Sequence, residues 1–292
     1  MDFDAEYEAL RSKIEKRLEG YFTGECTQKL LLDAMRYSLL AGGKRVRPIL
    51  VLKFCEAAGG DTEAALPLAC AVEMLHTYSL IHDDMPVMDN DDLRRGKPTC
   101  HKVYGECTAM LAGDALQAAA FRAALGSGLP ADVRADAAMI LAEAAGEGGM
   151  CGGQLLDTVD ASPRTQAFLS QINDLKTGAL LRAACLMGVA AAGAKATAMQ
   201  RLAASEYGIY LARAFQIRDD VLDMTSTDEA LGKNAGSDAR CGKVTYASLL
   251  GEEACNELVR DCTDRAREAL RSGFGESEFL DTFAARLEER TR

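Results

Sequence analysis

The stretch TEAALPLACAVEMLHTYSLIHDDMPVMDNDD, residues 62–92, decides how the rest of the chain is read. From Thr62 to about Met85 it is apolar and rich in small residues, and Asp61 in front of it is a good N-cap, so the pattern predicts one long helix. Asp83 and Asp84 end that helix after apolar turns, and Pro86 then breaks it and lets Asp89 swing back toward the same end. Adjacent carboxylates repel one another and are costly unless a cation neutralises them. Oxygen ligands with no His or Cys cluster select Mg2+ over zinc.

Outward from this segment the apolar spacing stays at three and four. Leu32, Met35, Leu39 and Leu40 form one helical stripe, stopped by Gly42-Gly43. Pro48 suits the first turn of the next helix, which runs to about Ala58 and is closed by Gly59-Gly60. Downstream, 86–99 reads as a polar functional loop. Helices are expected at about 101–126, 131–147, 164–192 and 196–224, then a second polar loop at 226–242 and two closing helices at about 252–271 and 276–289. No segment alternates like a strand for long and no repeat is visible. The expectation is an all-α class, a single large helical bundle over residues 1–292, interrupted by two charged loops.

The second loop is preceded by Asp219-Asp220-Val221-Leu222-Asp223. Asp219 and Asp223 are four apart and share a helix face, after the core-like Ala214-Phe215-Gln216-Ile217. Carboxylates at the C-terminal end of a helix oppose its dipole, a local cost that functional sites carry. If the two helices run antiparallel to their sequence neighbours, both acidic ends can face across one cavity, with metal ions bridging the walls to an anionic ligand. The cations fit that ligand: Lys44, Arg45 and Arg47 at a helix start, Arg94, Arg95 and Lys97 directly after the first motif, Lys176-Thr177 inside an apolar helix, and Lys233 and Lys243 after the second motif.

Bulk properties narrow the classes. The 292 residues carry a net charge of −11, which argues against nucleic acid as partner and against a polybasic membrane anchor. Met1 to Leu18 is charged throughout, without an apolar signal core, and the longest apolar run, Ala64 to Ile81, contains Glu73 and His76, so no membrane span is expected. The ten cysteines show no paired CxxC spacing and read as reduced, mostly buried thiols of a cytoplasmic protein. Glu73-x-x-His76 matches half of a di-iron signature, but the chain has only three His. No GxxxxGK[ST] sequence occurs, which excludes a P-loop NTPase.

The residues GGKRVRP, HDDMPVMDNDDLRRGKPT, GGQLLD, KTGAL, FQIRDDVLD and GKVTYASLLG, in this order, resemble the trans-prenyl diphosphate synthase family over nearly the whole chain. The resemblance implies the isoprenoid synthase bundle with a central active-site cavity. It also implies a prenyltransferase that condenses isopentenyl diphosphate head to tail with dimethylallyl or geranyl diphosphate, with about three Mg2+ ions per site. By motif position, Asp83, Asp84 and Asp89 would hold metal from one side and Asp219 from the other, with Asp220 and Asp223 completing the second motif. Arg94, Lys176, Thr177, Gln216 and Lys233 match positions around the allylic diphosphate, and Lys44, Arg47, His76 and Arg95 match positions that hold isopentenyl diphosphate. A homodimer is implied too, with the exposed face of the 101–126 helix (Met110, Leu111, Ala115) as one candidate surface.

Product length rests on Tyr78, five residues before Asp83 and therefore roughly 7.5 Å deeper along the helix, where a phenol ring would floor the cavity. Ser79 beside it is small and offers no second barrier. An aromatic here, with two residues more between Asp84 and Asp89 than in the short DDxxD form, resembles bacterial farnesyl diphosphate synthases. The alternatives are a geranylgeranyl diphosphate synthase and, of another class, a non-catalytic subunit of a heteromeric synthase. Both acidic motifs are intact, which favours catalysis.

Overall fold

In a computed structural model that describes residues 2–159, 165–225 and 244–288, the chain is built of helices joined by short connections. They are α1 (Phe3–Glu19), α2 (Lys29–Leu39), α3 (Val46–Ala57), α4 (Thr62–Asp83), α5 (Cys100–Tyr104), α6 (Glu106–Leu125), α7 (Ala131–Ala145), α8 (Met150–Thr158), α9 (Gln166–Asn173), α10 (Ala179–Ala191), α11 (Ala198–Thr225), α12 (Tyr246–Leu250), α13 (Glu252–Phe274) and α14 (Glu278–Glu288). The strands among the described residues are two-residue pieces, β1 (Leu93–Arg94) and β2 (Lys97–Pro98), paired antiparallel inside the first charged loop. The all-α expectation holds.

The local signals act as expected at α4. Asp61 caps it by accepting from the Glu63 N–H at 2.9 Å. It stands at the centre, packed against α3, α6 and α10, while α11 lies between α10 and α13. Its length and composition would suffice to cross a membrane, but 72% of its apolar window is buried inside the bundle. The core is small-grained: Ala69, Ala112, Ala120, Ala137, Ala184 and Ala204 are fully buried, which brings helix axes close without leaving voids. A second cluster, including Leu169, Ile217, Val221, Tyr246 and Val259, packs around the C-terminal end of α11.

Four departures from the expected elements have local causes. Residues 3–19 form α1, whose Ile14 and Leu18 are fully buried, although the segment reads as charged. The expected 101–126 helix is broken at Gly105, which sits at φ 81°, in the left-handed region open to glycine. Residues 150–158 form α8, where no helix was expected. The expected 164–192 helix is interrupted by a π turn at Asp174–Gly178, the five residues that contain Lys176 and Thr177.

Candidate active site

α4 ends as its sequence dictates. The Asp84 N–H still bonds back to the Leu80 carbonyl (3.1 Å), and beyond Pro86 the chain returns so that the Asp89 N–H donates to the Asp83 carbonyl at 2.9 Å. The return expected of Asp89 is thus present in the backbone. The two adjacent aspartates then part. Asp83 lines a cavity of about 510 Å3. Asp84 is 3% exposed and faces a different, smaller space, where it accepts from Arg94 Nε at 2.9 Å and also from an Arg94 terminal nitrogen. Burial pushes the Asp83 carboxyl up to about 6, against Lys176, which lowers it, and with Asp89, which raises it further.

The cavity runs between α4, α6, α8 and the π turn. Arg47 and His76 lie on its wall with Asp83, Lys176 and Thr177, and Tyr78, Met110, Cys151 and Leu155 give it an apolar trough. Arg47 is buried enough to be pushed down to about 10, and its Nε has no hydrogen-bond partner among the described residues. His76 is held far below the ordinary imidazole value, first by burial and then by Arg47, Arg95 and Arg94. The cations that help hold His76 neutral, Arg47 first among them, make this wall of the cavity suited to an anion.

The cations are set by an irregular loop between α2 and α3. Gly43 sits at φ 127°, and a Cβ there would lie 2.6 Å from the guanidinium carbon of Arg95, which donates to the Gly42 carbonyl. Arg45 is left-handed at φ 53° and its side chain is 1% exposed; it bonds Glu73, 2% exposed, at 2.6 Å and the Leu39 carbonyl at 2.9 Å. Tyr7 of α1 donates to the Lys44 carbonyl at 2.5 Å, so the N-terminal helix braces the same loop. Lys44 itself is exposed.

On the other side, Lys176 Nζ donates to Asp157 at 2.7 Å and the Thr177 hydroxyl to Gln216 at 3.3 Å. Lys176 and Thr177 line the large cavity, with Asp83, and also a neighbouring space of about 100 Å3 shared with Gln216 and Asp220. Asp220 is 7% exposed and accepts from Gln216 at 3.0 Å and from the Tyr246 N–H at 2.9 Å; Asp223 is 5% exposed and Asp219 half-buried. A Cβ on Gly153 would overlap the backbone of Lys176, so the glycine of GGQLLD lets α8 approach the π turn. Lys233, Lys243 and the 226–242 loop lie outside the described residues.

Among the described residues no three His, Cys, Asp or Glu side chains come together as a ready cation cage. The donor set nevertheless fits Mg2+, which is held by one or two carboxylates plus substrate phosphates rather than by an all-protein cage. Asp83, whose carboxyl is raised by burial and by Asp89, is a group whose charged form a bound cation would favour.

Sequence reasoning passed over Asp157 and Cys151, and weighed Glu73 only as half of a di-iron signature. Asp157 was visible in GGQLLD; Cys151 gave no signal, because no helix was expected at 150–158. Asn173, 3% exposed and with no partner for either amide atom among the described residues, opens on the smaller space and was also missed.

Asp83, Arg47 and Lys176 meet in one cavity whose remaining wall is largely apolar, the arrangement expected of a prenyl diphosphate synthase. The polyprenyl synthetase family model matches residues 28–277, and the chain belongs to that family. It is 48% identical over 244 residues to the geranylgeranyl diphosphate synthase of Cyanophora paradoxa, covering 82% of this chain and 81% of that one. It is 44% identical over 269 residues to the farnesyl diphosphate synthase of Geobacillus stearothermophilus, covering 91% and 88%. The crystal structure of a geranyltransferase from Legionella pneumophila superposes with a TM-score of 0.87 at 33% identity, over 99% of this chain and 98% of that one.

Proposed function

We propose that this prenyltransferase makes (2E,6E)-farnesyl diphosphate from isopentenyl diphosphate with dimethylallyl and then geranyl diphosphate, as one domain over residues 1–292. The observation that carries the product length is Tyr78, which is 6% exposed and lines the apolar part of the cavity on α4, five residues before Asp83. Relatives bear both the farnesyl and the geranylgeranyl name, so the ring, rather than overall likeness, supports the shorter product.

In this assignment Asp83, Asp89 and Asp219 hold the Mg2+ ions, with Asp84, Asp220 and Asp223 in support. Bound Mg2+ supplies electrostatic stabilisation of the departing diphosphate. Arg94, Lys176, Thr177, Gln216 and Lys233 clamp the allylic diphosphate and stabilise its developing charge. Lys44, Arg47, His76 and Arg95 hold isopentenyl diphosphate so that its double bond lies beside the allylic C1. The C1–O bond breaks, the double bond attacks the allylic cation, and a proton leaves to the released diphosphate. Tyr78, Met110 and Leu155 keep water from the cation.

We place the enzyme in the cytoplasm as a homodimer. The exposed Leu111 (51%) of α6 supports an apolar contact there, and a monomeric mass in light scattering at micromolar concentration would refute it. The deciding experiment for function uses the purified chain with Mg2+, dimethylallyl diphosphate and isopentenyl diphosphate, followed by chromatography of the dephosphorylated products. Mainly fifteen-carbon alcohol is expected. Mainly twenty-carbon alcohol refutes the product assignment, and no product without a second protein favours a partner subunit.

A further inference from the structure

The Tyr78 ring is held at both ends. Its Cβ end is fixed on α4, and its ring stands edge-on to His82, centroids 5.6 Å apart. His82 is itself fixed by the Met110 carbonyl at 3.1 Å. The hydroxyl end crosses to α8, where it meets Cys151 Sγ at 3.4 Å. Gln117 of α6 also approaches the hydroxyl. Cys151 is exposed to the cavity, on the helix face that also carries Leu155, 62% exposed. Its other neighbours do not call for a thiol: Gly152 and Gly153 follow it, and the remaining cavity wall of α8 is Met150, Gln154, Leu155 and Thr158.

A floor works only if the growing tail cannot swing it aside. An aromatic side chain anchored at Cα alone turns about two torsions, and an apolar tail pressing on it gains area by moving it. A contact at the hydroxyl tip, the far end of the lever, opposes that rotation most effectively. We infer that Cys151 is a specificity-determining residue: its thiol latches the Tyr78 hydroxyl from the opposite helix and keeps the ring across the trough. The latch rests on the assignment of Tyr78 as the floor. It makes product length a property of the α4–α8 pair, not of α4 alone. It also gives α8 a second task in the site, since Asp157, two turns on, engages Lys176.

The experiment measures the ratio of twenty- to fifteen-carbon product in Tyr78→Ala, Tyr78→Phe, Cys151→Ala, Cys151→Ser and the double variant Tyr78→Phe/Cys151→Ala. A neutral hydrogen bond to sulfur is a weak one, so Cys151→Ala should raise the ratio about twofold to fivefold. Cys151→Ser keeps a hydrogen-bonding atom and should keep the wild-type ratio. Tyr78→Phe, which loses contact with both Cys151 and Gln117, should raise the ratio at least as far, and adding Cys151→Ala to it should change nothing further. The latch is overturned if Cys151→Ala leaves the ratio unchanged while Tyr78→Phe raises it. It is equally overturned if Cys151→Ser acts like Cys151→Ala, or if Cys151→Ala adds its full effect in the Tyr78→Phe background, because extra room rather than a lost contact is then at work. An unchanged product in Tyr78→Ala overturns the floor assignment itself, so the two failures are told apart.

Discussion

Replacing Glu73 by Gln tests whether the loop that carries Lys44, and leads into Arg47 at the start of α3, is held by one buried ion pair. Glu73 and Arg45 meet at 2.6 Å with side chains 2% and 1% exposed. At an effective dielectric of about 20, that separation corresponds to about 6 kcal/mol of attraction, much of it offset by desolvation of both groups. Removing one partner leaves a buried guanidinium uncompensated, which costs about 3–5 kcal/mol. Glu15, 29% exposed and 3.7 Å from Arg45 Nε, takes up part of that charge and puts the expected loss at the lower end, about 3 kcal/mol. For a chain of this size the loss lowers Tm by roughly 6–12 °C.

Arg45 is held in a left-handed conformation between Lys44 and Arg47, so the same change should raise KM for isopentenyl diphosphate more than KM for geranyl diphosphate. Arg45→Met/Glu73→Leu removes both charges and should recover most of the stability but not the KM, because the Leu39 carbonyl contact is lost with the guanidinium. Denaturant unfolding and two-substrate kinetics check this. A Glu73→Gln loss below about 1 kcal/mol, or a double variant no more stable than the single, would refute the reasoning.

Three further outcomes are expected. Asp83→Ala and Asp219→Ala should each lose several orders of magnitude in turnover at saturating Mg2+, and near-normal steady-state rates in either would remove that aspartate from the metal set. Arg47→Ala should raise KM for isopentenyl diphosphate far more than for geranyl diphosphate, and equal effects would sink the two-site assignment. His76 has a folded-state pKa far below 6.5, so below about pH 6.5 the unfolded imidazole takes up a proton that the folded one refuses. Wild-type stability should therefore fall on acidification by up to about 1.4 kcal/mol per pH unit from this group, a slope that urea titrations of His76→Gln should lack.

What could be read in the sequence was what local chemistry fixes. The end of α4 at Asp83, the Asp61 cap and the break at Gly42-Gly43 each follow from residues within one turn, and all three are where the pattern placed them. The return of Asp89 to Asp83 was legible for the same reason, since Pro86 leaves few paths. α1 was legible in principle: Phe3, Tyr7, Leu10, Ile14 and Leu18 step by three and four, but the charges between them hid the stripe. The π turn was not legible, because an extra residue in a helix depends on what packs against it, here Gly153 of α8 and Arg213, which pairs with Asp174 at 2.6 Å. Nor was the Tyr78–Cys151 contact, between residues 73 positions apart on helices whose facing sides only the packing decides.

Each acidic motif ties down the segment that follows it, which its sequence alone conceals. Successive residues on a helix point about 100° apart, so neighbouring aspartates meet different surroundings. In the first motif Asp83 lines the large cavity and Asp84 turns away from it to hold Arg94. In the second, Asp220 lines the smaller space beside Lys176 and Thr177 while accepting from Gln216 and from the N–H of Tyr246 at the start of α12. Asp84 and Asp220 thus each fix a following segment: the β1–β2 loop with Arg94 and Arg95 in one case, the chain entering α12 in the other. In the first motif the doublet delivers one carboxylate to the cavity while tying the next loop to the same turn of helix. That gives the buried, costly Asp84 a role beside Asp83. Without it, Arg94 would be free to neutralise the outward carboxylate, and the site would lose the separation between its acidic end and its cationic wall.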